Sequence, residues 1–118
     1  ELPFRVLNLC TGDLSASSEY TRDFEVYSPG VAKWLEVSSV GRFSNYQTRR
    51  GQIRYRPEDG GKLKFPHAMN GSGLATPRIW AALLELGWEP EHQRVRLPDA
   101  LVPYMGKAYV EANPHRRA

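Results

Sequence analysis

Alternation of apolar and polar positions dominates the first forty residues. Phe4 to Leu9 reads as a short strand, followed by a polar stretch from Thr11 to Ser18 that holds Gly12 and three serines. Between Tyr20 and Tyr27 the side chains divide, Phe24 and Val26 to one side and Asp23 and Glu25 to the other, as a half-buried strand requires. Ser28-Pro29-Gly30 is a turn signal. Trp34 to Val40 predicts a third strand, in which a period of two puts Glu36 and Ser38 on the face opposite Leu35, Val37 and Ser39. Phe43 to Arg50 is polar and predicts a short helix. Ile53 to Arg56 and Leu63 to Phe65 flank Pro57-Glu58-Asp59-Gly60-Gly61, a hairpin signal.

The period changes after Gly71-Ser72-Gly73. Ile79, Ala82, Leu83 and Leu86 fall at i, i+3, i+4 and i+7, the stripe of a helix that buries one face. Thr76 stands where a cap belongs, Pro77 suits the first turn, and Gly87 supplies a stop. Beyond it, Arg94 to Met105 holds two prolines and a few apolar anchors, and Glu111 to Ala118 reads as a frayed tail. There is no internal repeat and no low-complexity tract. Strands joined mostly by short turns, then one buried helix, predict an α+β arrangement: an antiparallel sheet flanked by helices.

Composition narrows the picture. The 118 residues suffice for one domain, 1–118, and 41% hydrophobic with 25% charged residues is ordinary globular usage. A net charge of +3 is too mild for a chain held to nucleic acid by phosphate contacts alone, but twelve of the sixteen basic residues are arginine, the side chain for bidentate carboxylate or phosphate recognition. The single cysteine, Cys10, excludes an internal disulfide framework and a Cys-rich zinc module. His67, His92 and His115 are too scattered to suggest a metal cluster. No apolar run reaches membrane-span length, and the first residues lack the form of a signal peptide, so a reducing cytoplasmic compartment is expected, with no membrane partner.

Three constellations carry candidate chemistry. An arginine in the first helical turn, Arg78, opposes the macrodipole when exposed, whereas a bound polyanion would reverse that sign. Its plainer reading is a solvated side chain or a structural ion pair. Glu36 is a hard oxygen ligand suited to Mg2+ held between carboxylate and phosphates, with Ser39 as a second oxygen; the plainer reading is a solvated strand carboxylate. Asn70-Gly71-Ser72-Gly73 is a small-residue turn in which Ser72 either bonds its own backbone or meets a small polar substrate.

The ordered set Cys10-Thr11-Gly12-Asp13, Asp23-Phe24-Glu25-Val26, Glu36-Val37-Ser38-Ser39, Gln47-Thr48-Arg49-Arg50, Ile53-Arg54-Tyr55-Arg56, Asn70-Gly71-Ser72-Gly73-Leu74-Ala75, Pro77-Arg78 and Pro103-Tyr104-Met105-Gly106 resembles the C-terminal part of bacterial seryl-tRNA synthetases, from about Leu2 to Gly106. The resemblance implies part of a class II aminoacyl-tRNA synthetase catalytic fold. It implies a reaction in which serine and ATP form seryl-adenylate and pyrophosphate, after which the seryl group passes to the 3′ end of tRNA(Ser). Glu36, Val37, Ser38 and Ser39 would then contribute to the ATP site, Glu36 and Ser39 beside the metal. Arg78 would be the motif 3 arginine at the γ-phosphate end of a bent ATP. Ser72 would contact L-serine with Asn70 next to it. Such chemistry asks for positioning and charge neutralisation more than for a side-chain nucleophile, which suits the lack of any Ser-His-Asp or Cys-His arrangement.

Departures from the family pattern carry expectations of their own. Motif 1, motif 2 and the N-terminal coiled-coil arm have no counterpart in these 118 residues. The isolated chain is therefore expected to be inactive, with the family's homodimer contacts mostly outside it. Pro66-His67-Ala68-Met69 and Val40-Gly41-Arg42 also differ from the commoner family runs, between motifs. Two other functions fit the same residues: a synthetase-like enzyme that charges a carrier protein, and a stand-alone, non-catalytic synthetase-like binding module.

Overall fold

The computed structural model describes residues 2–112. The alternating segments form an antiparallel sheet in chain order: β1 (Phe4–Asn8), β2 (Tyr20–Ser28), β3 (Lys33–Arg42) and β4 (Met69–Gly71). α1 (Tyr46–Arg50) is shorter than the predicted Phe43–Arg50, because Phe43 still bonds the Ala68 carbonyl through its N–H. The helix α2 (Thr76–Gly87) packs Ala82 and Ile79 against Val26, Val37 and Phe24, and this small cluster is the core. Ser28 Oγ and Gly30 N–H both donate to the Glu85 carboxylate, at 2.6 and 3.2 Å, and so fasten the helix to the β2–β3 turn.

Several details depart from the sequence reading. Thr76 is the first helical residue and not the cap; the cap position is Ala75, whose N–H bonds the Val37 carbonyl at 3.0 Å, so β3 sets where the helix starts. Gly87 closes the helix as its last residue, with an extended Trp88 after it. The glycine is required there by close approach: a Cβ on Gly87 would lie 2.4 Å from the Arg96 carbonyl oxygen. The predicted hairpin strands reduce to one bridge, Tyr55 to Lys64, with prolines 57 and 66 denying the donors a longer ladder needs. The stretch after α2 is more ordered than expected. β5 (Trp88–Glu89), β6 (Arg94–Arg96) and β7 (Tyr109–Glu111) form a second antiparallel sheet, and α3 (Val102–Met105) spans part of the connection. There the Arg94 guanidinium bonds Glu89, which holds its pKa above the ordinary value, and lies over the Tyr109 ring. Glu111 thus lies in a strand, while 113–118 of the expected frayed tail lie outside the described residues.

The molecule is elongated. Its radius of gyration is 20.7 Å, where a compact chain of this length has about 13.5 Å. Phe4, Ile53, Met69, Leu74, Trp80 and Tyr104 are exposed apolar side chains, more than a self-contained surface of this size carries.

Candidate functional site

The decisive local feature is a bulge in β3. Asp23 pairs with Ser39 and Phe24 with Ser38, but Glu25 pairs with Glu36, which leaves Val37 as the extra residue. Directly paired residues of an antiparallel ladder share a face. The bulge therefore moves Ser39 onto the face of Glu36, correcting the simple alternation that put the two on opposite faces. Val37 turns into the core at 6% exposure, and Ser38 Oγ donates to the Ser72 carbonyl at 2.5 Å.

The same register continues outward. Gly41 pairs with Asn70 across β3 and β4, and the Ser72 N–H donates to the Ser39 carbonyl at 3.3 Å. Glu36, Ser39, Asn70 and Ser72 consequently line one cleft of about 730 Å³, together with Asp13, Asp23, Glu25 and Thr21. That volume lies within the range of about 300–1,000 Å³ typical of small-molecule sites. Gly71 makes the close approach of β4 possible, since a Cβ there would lie 2.7 Å from Val40 Cγ2 and 3.0 Å from the Ser39 carbonyl oxygen.

Charge in the cleft is strongly negative. Asp13, Asp23, Glu25 and Glu36 all contribute, and Asp23 keeps Oδ1 buried with no hydrogen-bond partner among the described residues. Arg5 pairs with Glu25 at 2.5 Å. Arg78, from the first turn of α2, reaches back to β3: Nη1 donates to the Glu36 carbonyl at 2.6 Å and stands 3.9 Å from the Glu36 carboxylate. Arg78 does not line the cleft; it borders it through Glu36. Both plain readings of Arg78 are thus met, half exposed and ion-paired, and its partner is the candidate metal ligand.

Polar groups without protein partners mark where a ligand would bond. Among the described residues, neither Ser72 Oγ nor Ser39 Oγ is engaged, so Ser72 does not spend its hydroxyl on its own turn. Asn70 Nδ2 donates to Gln47 Oε1 at 2.9 Å, which fixes the amide and leaves Asn70 Oδ1 as an acceptor. Gln47 is a supporting residue; it falls in the motif Gln47-Thr48-Arg49-Arg50, but a half-buried polar residue on a five-residue helix carries no signal of this role. Among the described residues, no three His, Cys, Asp or Glu side chains are grouped to hold a metal ion by themselves. A magnesium ion needs fewer, since it takes one or two carboxylates and completes its shell with substrate phosphates and water.

Comparison with known proteins bears on the family and the fold. Residues 1–86 match the family model described as the tRNA synthetase class II core domain (G, H, P, S and T). The chain is 51% identical over 111 residues to a serine–tRNA ligase of Prosthecochloris aestuarii, covering 94% of this chain and 26% of that protein. To the serine–tRNA ligase of Gemmatimonas aurantiaca it is 55% identical over 108 residues, covering 92% of this chain and 25% of that one. Among solved structures, seryl-tRNA synthetase from Pyrococcus horikoshii complexed with ATP superposes with a TM-score of 0.88 at 36% identity, covering 95% of this chain and 25% of that one. The cytoplasmic serine–tRNA ligase of Naegleria fowleri in complex with AMP gives 0.81 at 29%, covering 93% of this chain and 26% of that one. The chain spans about a quarter of the length of the relatives it matches.

Proposed function

This chain belongs to the class II tRNA synthetase core domain family (G, H, P, S and T), and from that premise we propose that it is the C-terminal portion of a serine–tRNA ligase. The intact enzyme activates L-serine with ATP to seryl-adenylate and transfers the seryl group to tRNA(Ser). Identity of 51% and 55% to proteins named serine–tRNA ligases supports serine over the other amino acids of the family. The observation that carries the reading is the bulge at Val37, which gathers Glu36 and Ser39 with Asn70 and Ser72 in one cleft.

Within this reading, the strand Glu36-Val37-Ser38-Ser39 serves ATP through different contributions. Glu36 offers a carboxylate and Ser39 a free hydroxyl to a magnesium ion, a donor set of hard oxygens that fits that ion. Val37 and Ser38 hold the strand's shape, one in the core and one on the Ser72 carbonyl. The carboxylates of the cleft would repel bare phosphates, and a magnesium ion held by Glu36 and Ser39 would supply positive charge to offset that repulsion. Arg78 presents a guanidinium at the border of the cleft, suited to the phosphate end that lies farthest from the reacting centre. Ser72 and Asn70 form the serine subsite: Ser72 Oγ bonds the substrate, and Asn70 Oδ1, held by Gln47, accepts a hydrogen bond from its hydroxyl or ammonium group. Rejection of alanine follows, because it would leave these groups unpaired.

The activating groups of motif 2 and the dimer contacts belong to segments outside these 118 residues in this reading, and the working enzyme is a homodimer in the cytoplasm. ATP–pyrophosphate exchange by the whole gene product, with serine, alanine and threonine as substrates, tests it. Exchange with serine alone is expected; exchange with none of the three would refute the ligase reading. Label appearing on a carrier protein instead of tRNA would select the carrier-charging enzyme.

A further inference from the structure

We propose that the arm running from the last residues of α1 toward β4, residues 49–64, is an RNA-binding surface that holds the phosphate backbone of the acceptor end of tRNA as its 3′ terminus enters the cleft. The inference rests on the ligase reading above and adds to it where the RNA lies.

The arm departs sharply in charge from its surroundings. Arg49, Arg50, Arg54, Arg56, Lys62 and Lys64 fall within sixteen residues, against two acids at the tip, Glu58 and Asp59. A net +4 on one thin element exceeds the +3 of the entire chain. All six are exposed, and none takes part in an ion pair with another described residue, where Arg5, Arg42, Arg78 and Arg94 all do. Clustered basic side chains without acidic partners repel one another, so their concentration around a hairpin with a single bridge is not explained by stability.

Aromatic groups are interleaved with the charges. Arg50 lies 3.4 Å from the centroid of Tyr46, Arg54 lies 5.1 Å from that of Phe65, and Tyr55 is 47% exposed between Arg54 and Arg56. Guanidinium groups over aromatic rings, with an exposed phenol among them, suit single-stranded nucleic acid, where phosphates meet cations and bases meet π-faces.

Position completes the argument. Buried Thr48 donates to the Pro66 carbonyl at 2.6 Å and its own carbonyl accepts from Ile53, so both ends of the arm are pinned at one root. That root is α1, whose Gln47 bonds Asn70 in the cleft. The cleft is acidic and the arm beside it basic, so a polyanionic chain would be held outside while only its uncharged sugar end approaches the carboxylates.

The test uses the whole gene product with R54A/R56A/K62A/K64A and a charge-retaining R54K/R56K variant. Binding to a transcript of tRNA(Ser) is titrated across a salt series, and serine-dependent ATP–pyrophosphate exchange is measured alongside. The alanine variant is expected to keep exchange within about twofold, to raise the Kd and KM for tRNA at least about tenfold, and to flatten the slope of log K against log salt by roughly three, since each of the four lost phosphate contacts accounts for about 0.7–0.9. The lysine variant should keep the slope. Unchanged tRNA parameters in the alanine variant, or a change in oligomeric state in their place, would overturn the proposal. So would equal losses in both variants. Absence of serine-dependent exchange in the unaltered protein is a separate outcome, and it strikes the ligase reading instead.

Discussion

Arg78 and Glu36, forty-two residues apart, meet where α2 begins: the guanidinium donates to the Glu36 carbonyl at 2.6 Å and stands 3.9 Å from its carboxylate. The pair joins the candidate phosphate ligand to the candidate metal ligand. Both side chains are about half exposed, and such pairs contribute only about 0–1 kcal/mol to stability. Function and folding are therefore separable here. Arg78→Ala in the whole gene product should lower serine-dependent pyrophosphate exchange by about a hundredfold or more while changing unfolding free energy by about 1 kcal/mol or less. Arg78→Lys should rescue little, because an ammonium cannot bond the carbonyl and a phosphate as a planar fork does. Wild-type exchange in Arg78→Ala would remove this residue from the site.

The bulge at Val37 predicts a metal phenotype for its neighbours. Glu36→Gln should raise the magnesium concentration needed for half-maximal exchange, and Ser39→Ala should do so more weakly, since a carboxylate binds a hard cation far better than a hydroxyl. Chelation of magnesium should abolish exchange in the unaltered protein, with recovery when it is restored. A magnesium titration that coincides for Glu36→Gln and the parent would exclude coordination by Glu36.

The free hydroxyl of Ser72 and the braced amide of Asn70 predict selectivity. Ser72→Ala should raise the KM for serine by about 10–100-fold with a smaller change in the KM for ATP, as loss of one or two hydrogen bonds to substrate would. Gln47→Ala acts only by releasing Asn70, so it should shift the serine KM in the same direction by less. Equal effects on the KM values for serine and ATP would point to general damage.

Two glycines of the same turn should behave oppositely. Gly71→Ala drives a methyl against Val40 and the Ser39 carbonyl and should destabilise the protein by about 1–3 kcal/mol, whereas a Cβ on Gly73 meets nothing within 4 Å. Gly73→Ala should be neutral or stabilising by up to about 1 kcal/mol. Urea denaturation of both variants checks the contrast.

Much of this was legible in the amino-acid sequence because it depends on local period. β2, β3 and α2 follow from alternation and from the Ile79–Leu86 stripe; of the residues the site motifs named, Glu36, Ser39, Asn70 and Ser72 line the cleft, whereas Val37, Ser38 and Arg78 do not. The face assignment of Ser39 was not legible: a period of two has no means of announcing a bulge, and only the pairing of Glu25 with Glu36 reveals it. The β5–β6–β7 sheet escaped because strands of two or three residues carry no measurable period. Thr76 has the chemistry of a cap, but the bond from Ala75 N–H to the Val37 carbonyl fixes the helix start one residue earlier. The role of Gln47, which stood in the motif Gln47-Thr48-Arg49-Arg50, escaped for a related reason, since it lies in a bond to a residue twenty-three positions away.

In the proposed function these residues work as one part of a larger serine-activating enzyme. Serine-dependent ATP–pyrophosphate exchange, measured on the whole gene product and on the isolated 118 residues at equal concentration, tests it most directly. Exchange is expected from the former, absent without serine, and only background from the latter. Exchange from the isolated chain, or none from the whole product, would contradict it.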